Sequence, residues 1–375
     1  MRALFVNLPF AGHVLPTLGL VEALIQRGHR VTYVLTPEWR ARILRSGADF
    51  AGYRDVRRLS AQMRAAFDAA ACIAKDFDLI VYEQFFFLGK HLGERFEKPA
   101  VRIFTSPASN ETLMRAYLST GSALSVFRSR WICRRWTREV ARDIPLRTDC
   151  WLKEILYNPP ELNLVYTLRA FQPDESDFPP DRYRFLGASI YRREGEAPIP
   201  LPEDKPIVYI SLGTIANRAR AFYRKCIDAF AGEDVAVVMA IGKAVRPRSL
   251  GAIPANFSVY PAVPQLDVLR AADVFITHGG LNSVMEALYF GVPMVVLPRV
   301  NDQPVNAGRV QSLGLGERMS PRGITAASLR EATLRVMRDP GIRESVCRMQ
   351  QMLAAAGGNA CGVEAIEALM QGRGM

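Results

Sequence analysis

Cysteine, histidine and long apolar runs are all scarce in this sequence. Six cysteines stand at positions 72, 133, 150, 226, 347 and 361, none spaced as Cys-x-x-Cys, and only four histidines accompany them. Neither a metal site nor a disulfide framework is expected from such counts; free thiols in a reducing compartment are. No run is long and apolar enough to span a bilayer. Residues 3–21 lack Asp, Glu, Lys and Arg, which imitates an export signal, but Pro9, Gly12, His13 and Pro16 interrupt the stretch. No small-residue cleavage pattern follows, so the segment reads as a cytosolic strand and loop. Gly 27 and Pro 24 are ordinary numbers, which excludes collagen and low-complexity chains, and 49% hydrophobic residues exclude disorder over the whole length. A Gly-x-Gly-x-x-Gly fingerprint is missing near the first strand, which argues against a dehydrogenase.

What is present is 375 residues, enough for two domains with substantial cores. Lys+Arg 48 against Asp+Glu 37 leaves +11, a balance that favours an anionic partner: nucleic acid, a membrane surface or a phosphorylated ligand. Short apolar runs alternate with helical stretches, the pattern of parallel α/β units. Strands are expected at 3–8, 31–35, 78–82 and 100–104, with helices at 16–27 and 88–96. A segment rich in Glu and Pro near 192–206 cannot pack as helix or strand and marks a linker. The pattern then restarts, with strands at 207–211, 235–241, 257–260, 274–277 and 294–297 and helices at 222–230 and 283–290. Two helices, near 326–338 and 341–355, are expected to close the chain. The expected organisation is a Rossmann-like, doubly wound α/β domain over 1–195, a linker at 196–205 and a second such domain over 206–375. A cleft between the two, and a last helix crossing back to the first domain, complete the expectation. Ligands of such sheets sit at the carboxyl ends of the strands.

Three segments carry chemistry. Gly12-His13-Val14-Leu15-Pro16 follows the first strand, where an imidazole can act as a base near neutral pH or simply cap the next helix. Thr277-His278-Gly279-Gly280-Leu281-Asn282-Ser283 follows another strand. Its paired glycines allow close backbone approach, and the helix start offers amides and a positive dipole end to a phosphate. Ser283-x-x-Glu286 also reads as a capping box, which any helix start can use. Val300-Asn301-Asp302-Gln303-Pro304 sets an acid beside an amide after a strand, suited to a polyhydroxylated ligand and equally to an ordinary turn.

Taken together, the sequence resembles the family 1 glycosyltransferases of GT-B fold, above all the bacterial macrolide-type members. The resemblance rests on Ala262-Val263-Pro264-Gln265, Asp267-Val268-Leu269, His278 through Ser283, Glu286-Ala287, Gly291-Val292-Pro293, Asp302-Gln303 and Asn306-Ala307. Gly12-His13-Val14 with Pro16, Arg27-Gly28-His29-Arg30-Val31 and Asp78-Leu79-Ile80-Val81-Tyr82 extend it over most of the chain. It implies an inverting, metal-independent transferase that moves a hexose, glucose from UDP-glucose first, to a hydroxyl of a hydrophobic acceptor, with no other cofactor. His13 would deprotonate the acceptor and Glu83, where the family usually carries Asp, would orient it. His278, Gly280, Asn282 and Ser283 would hold the diphosphate, with Thr214 in a second phosphate-side loop. Glu286 would bind the ribose, Gln265 line the nucleoside pocket, and Asp302 and Gln303 contact the sugar. Ala262 replaces a Trp that many relatives stack on the base, which leaves a thymidine-linked donor open. A retaining relative would carry a second glutamate eight residues after Glu286, where Met294 stands.

Much of the positive excess lies in one stretch. Arg128, Arg130, Arg134, Arg135, Arg138, Arg142 and Arg147 surround Trp131 and Trp136, opposed by Glu139 and Asp143. This is the composition of a helix on an anionic bilayer, or of a helix packed on its domain with solvated arginines. Alternatively, Trp131 and Trp136, with Phe85 and Phe86 beside Glu83, would line an acceptor pocket. Both functional readings favour a lipophilic, hydroxylated acceptor, and no nucleic-acid-binding module accompanies the arginines. A membrane-surface enzyme making a glycolipid and a catalytically silent nucleotide-sugar-binding paralogue are the rival functions.

Overall fold

Strands covered on both faces should read as unbroken apolar runs, and the central strands of this chain do. The computed structural model describes residues 1–375 apart from 120–122, 192–196, 203, 214–218 and 373–375. Thr214, and residues 196 and 203 of the expected linker, therefore lie outside the described residues. The chain forms two compact units, Met1–Tyr191 with Ala356–Met375, and Arg192–Ala355.

The first unit has strands β1 (Arg2–Val6), β2 (Arg30–Leu35), β3 (Asp49–Gly52), β4 (Leu79–Glu83), β5 (Ala100–Phe104), β6 (Leu162–Val165) and β7 (Tyr183–Phe185). They form one parallel sheet in the order β3-β2-β1-β4-β5-β6-β7. Its helices are α1 (Ala11–Gln26), α2 (Arg40–Arg45), α3 (Leu59–Ile73), α4 (Gly89–Phe96), α5 (Glu111–Ser119), α6 (Arg130–Val140) and α7 (Trp151–Tyr157).

In the second unit, β8 (Ile207–Ser211), β9 (Ala236–Ala240), β10 (Phe257–Tyr260), β11 (Val274–Thr277), β12 (Met294–Val296) and β13 (Gly316–Arg318) form a parallel sheet ordered β10-β9-β8-β11-β12-β13. Helices α8 (Arg220–Phe230), α9 (Gln265–Ala271), α10 (Leu281–Tyr289), α11 (Gln303–Ser312), α12 (Ala326–Arg338) and α13 (Pro340–Ala355) flank it. A final helix, α14 (Gly358–Met370), packs against α1 and β6 of the first unit. There Asn359 accepts from the Tyr166 hydroxyl (2.8 Å), and Glu367 pairs with Arg27 (2.6 Å) and His29 (2.9 Å).

Each sheet reverses its winding once, between β1 and β4 in the first and between β8 and β11 in the second. At such a switch point the adjoining loops part and leave a crevice at the carboxyl ends of the strands. The first turn of α1, which carries His13, and Glu83 at the end of β4 flank the first switch point. Leu212–Gly213 and His278–Gly280 flank the second.

Four expectations need correction. Helix α1 begins at Ala11 rather than at Pro16, so His13 lies in its first turn and Pro16 is inside the helix. The Asn7 amide donates to the His13 carbonyl (2.9 Å) in this first turn. The arginine-rich helix ends at Val140, because the chain turns at Ala141–Ile144 to bring α7 alongside. That turn also joins Cys133 of α6 to Cys150 at the start of α7 in a disulfide, with Cα atoms 5.8 Å apart. A separation of 17 residues carries no pairing signal of its own, so the expectation of free thiols holds only for Cys72, Cys226, Cys347 and Cys361. Finally, α14 follows the two helices expected to close the chain.

Candidate functional site

In the first unit the switch point assembles three side chains from three elements. His13 Nδ1 lies 3.0 Å from Glu83 Oε1, at the end of β4, and 2.8 Å from Thr105 Oγ1, just past β5. The Thr105 hydroxyl also donates to Glu83 Oε1 (3.0 Å). A carboxylate only accepts, and the threonine proton already points at it, so the proton between ring and carboxylate sits on Nδ1. Nε2 then carries the lone pair, the arrangement of a general base. The extra methylene of Glu83, relative to aspartate, is taken up locally: Oε2 turns back to accept the Phe85 amide (2.9 Å) while Oε1 still reaches the ring. Glu83 is 1% exposed, which strengthens its hold on the imidazole.

Two aromatic edges flank His13. Phe85 stands at 4.9 Å between ring centroids and Phe10 at 5.9 Å, both nearly perpendicular to the imidazole. Phe10 is 44% exposed. It was not anticipated, although its place three residues before His13 puts it at the mouth of the same loop. The other expected acceptor residues lie elsewhere. Phe86 is fully buried. Trp136 belongs to an aromatic cluster with Phe127, Trp151 and Phe87. Trp131 is exposed on α6, with Arg135 over its ring at 5.4 Å. Of the four, only Phe85 is brought to His13.

In the second unit the loop after β11 carries His278, with Gly213 and Gly280 against its ring. A Cβ at Gly213 would come within 2.6 Å of His278 Cε1, and one at Gly280 within 2.7 Å of Nε2. Gly279 has φ +83°, and a Cβ there would strike the Val296 side chain at 2.6 Å. Burial, then the Arg299 charge, pushes the His278 pKa down to about 4. His278 is thus neutral near pH 7 and offers a phosphate a hydrogen bond rather than a charge. Helix α10 starts at once after this loop, with Gly280 as its N-cap and no side chain capping it. The capping-box expectation is therefore corrected: Ser283 occupies the third helical position and accepts instead from the Gln265 amide (3.3 Å).

Gln265 is the hub of this side. Its Oε1 accepts from the Tyr209 hydroxyl (3.1 Å), and its Nε2 also donates to Glu286 in a short hydrogen bond. Ser283, Glu286 and Gln265 are thus brought together, and Tyr209, stacked on Phe275 at 4.6 Å, fixes which way the amide faces. Nothing in the strand 207–211 distinguishes Tyr209 from a core aromatic before the fold is known. Asp302 accepts from Asn306 (2.8 Å), whose amide also donates to the Gly279 carbonyl (2.9 Å), so the 300–304 turn is tied to the His278 loop. Gln303 begins α11, and its Oε1 accepts from the backbone of Arg299 (2.9 Å) and Val300 (3.1 Å). Its carbonyl thereby shapes the loop. Ala262 is exposed.

Among the described residues no group of three His, Cys, Asp or Glu side chains could hold a metal ion. The Asp-x-Asp triplet Asp76-Phe77-Asp78 lies at the amino end of β4 in the first unit, where Asp78 accepts the Arg2 amide (2.7 Å). That end of the sheet is opposite the switch-point loops. Among the described residues no helix is long and apolar enough to cross a membrane.

Residues 224–369 match the family described as erythromycin biosynthesis protein CIII-like, C-terminal domain. Over 98% of each chain, the sequence is 34% identical to the NDP-glycosyltransferase YjiC of Bacillus licheniformis. It is 32% identical to the oleandomycin glycosyltransferase of Streptomyces antibioticus, over 96% of this chain and 89% of that one. The crystal structure of the glycotransferase of kitacinnamycin superposes with a TM-score of 0.82 at 30% identity, over 98% of both chains. Parallel sheets wound alike, a histidine–carboxylate pair after one and a histidine–glycine helix start after the other accompany that similarity along the whole chain. The protein therefore belongs to the bacterial macrolide-type branch of the family 1 glycosyltransferases, of GT-B fold, and is a nucleotide-sugar-dependent enzyme of the UDP-glycosyltransferase class.

Proposed function

We propose that the protein is an inverting, metal-independent hexosyltransferase that glycosylates a hydroxyl of a hydrophobic natural product. The observation that carries this reading is the His13–Glu83 contact of 3.0 Å, which leaves Nε2 as the basic nitrogen. His13 Nε2 takes the proton of the acceptor hydroxyl as its oxygen attacks the anomeric carbon. The bond from that carbon to the diphosphate oxygen breaks on the opposite face, so the configuration inverts. The leaving diphosphate accepts hydrogen bonds from the first-turn amides of α10, near Asn282 and Ser283, and from His278, whose neutrality leaves the helix end to supply the positive potential. Glu286 accepts from the ribose hydroxyls, Gln265 borders the base, and Asp302 with the Gln303 amide contacts the sugar.

The family resemblance supports glucose carried on UDP as the first donor to test. Ala262, in place of a stacking indole, makes a thymidine diphosphate sugar the competitor that the assay must include. The edges of Phe10 and Phe85 beside the base support a lipophilic acceptor. The test is mass spectrometry of products from a pool of apolar alcohols and phenols offered with UDP- and dTDP-sugars. A hexosyl adduct formed by the parent and lost in His13→Ala is expected. Nucleotide release at equal rates by both proteins would end the proposal, and donor binding without any product would favour a silent paralogue.

A further inference from the structure

The surface of α6 carries an unusual imbalance. In sequence Glu139 and Asp143 oppose its arginines, but in the fold both acids turn to a neighbouring element. Glu139 pairs with Arg58 (2.8 Å), just ahead of α3, and Asp143 forms a short ion pair with Arg64 of α3. Asp149 is held by Arg134, and Arg147 reaches Glu94 (2.8 Å). Arg128, Arg130, Arg135, Arg138 and Arg142 are left, all exposed and with no ion pair among the described residues.

Trp131 stands among them, 67% exposed, the most open large hydrophobic side chain of the described protein, with Val126 at 48% just ahead of the helix. Cys133, Thr137 and Val140 face the core, so Trp131, Arg135 and Arg138, at positions i, i+4 and i+7, form one outward stripe. An indole with guanidiniums on a rigid helix suits the interface of an anionic bilayer, where the ring sits at headgroup depth and the arginines meet lipid phosphates. Single-stranded nucleic acid is read by a groove with several stacking rings, which one convex stripe with one indole does not provide. The disulfide to Cys150 and the cluster of Trp136, Phe127 and Trp151 beneath fix the helix from its inner side.

We propose that the outward stripe Trp131–Arg135–Arg138, with Arg128, Arg130 and Arg142 around it, is a docking surface for an anionic membrane. The enzyme docks peripherally, keeping its fold, by headgroup attraction and by the shallow burial of one indole. This inference does not depend on the catalytic reading.

The test is sedimentation of the full chain with vesicles of phosphatidylcholine alone and of phosphatidylcholine with phosphatidylglycerol. Binding to the anionic vesicles only, weakened by raised salt, is expected. Arg135→Gln with Arg138→Gln should lower the partition coefficient about tenfold or more, since each arginine near the surface contributes a several-fold factor. Brominated lipid should quench the tryptophan fluorescence of the parent, and Trp131→Phe, with an unchanged melting temperature, should abolish that quenching. Equal binding to both kinds of vesicle, no binding to either, or quenching that survives Trp131→Phe would overturn the proposal. So would an oligonucleotide that binds the stripe more tightly than the anionic vesicles do.

Discussion

Replacing Glu83 by Gln preserves the shape of the side chain and removes only its charge and half its acceptors. In the structure Oε1 receives His13 Nδ1–H and the Thr105 hydroxyl, and Oε2 receives the Phe85 amide. An amide cannot serve all three. With its oxygen toward His13, its NH2 group faces the Phe85 N–H, donor against donor. Turned over, the NH2 faces Nδ1 and forces the ring proton onto Nε2, where it blocks the base. Either way a buried donor is left unmatched, which should cost about 1–3 kcal/mol of stability. The catalytic loss is separable from that cost. An imidazolium and a carboxylate 3.0 Å apart attract by roughly 5 kcal/mol at an effective dielectric of about 20. With the proton about half transferred in the transition state, roughly 2–3 kcal/mol is forfeited, or about 30- to 150-fold in kcat. The assay is nucleotide diphosphate release at saturating donor and acceptor, with calorimetry of donor binding as a control. A kcat within threefold of the parent, at unchanged donor affinity, would show that Glu83 does not act on His13.

Other consequences are open to simpler measurements. Thr105→Val removes one hydroxyl and keeps the shape, so kcat should fall about five- to twentyfold, one hydrogen bond's worth, and Thr105→Ser should restore most of it. Glu286→Ala should weaken UDP binding by roughly 1–3 kcal/mol, because the Gln265 amide and the ribose both lose their acceptor. Unchanged calorimetric affinity would remove Glu286 from the ribose site. His278 is held below its ordinary pKa, so the unfolded chain binds more protons than the folded one between pH 6.5 and about 4. Its contribution to stability, about 2–4 kcal/mol, is present above that window and lost as the pH falls through it. Denaturant midpoints across the window should drop less steeply in His278→Gln.

The elements legible in the sequence were those whose burial leaves a pattern. Residues 207–211 and 274–277 match their strands residue for residue, because a central strand buried on both faces reads as a near-continuous apolar run. Strand β3, Asp-Phe-Ala-Gly at the sheet edge, bears no such run and was missed, as was β7 at the opposite edge. His13, His278 and Glu286 stood out because histidines are few and glycines mark close approach. Thr105 and Tyr209 did not, since a hydroxyl acquires its role only when other strands bring it a partner. Ser283 misled for the opposite reason. Its spacing to Glu286 imitates a cap, and only the seat of Gln265 between them shows that the pair faces a common amide. The Cys133–Cys150 bridge was hidden in the same way, by a turn that composition does not announce.

Helix α14 is translated after the whole of the second unit, yet it covers α1, among the earliest segments made. Until ribosomal synthesis has passed Gly358, a nascent first unit leaves bare the flank of α1 on which Gly19 and Leu20 lie, where Asn359 and Gly362 later settle. A premature stop anywhere in the second unit would therefore release a greasy, half-clad amino-terminal fragment rather than an independent module. Co-translational holdases would meet this protein on its first half.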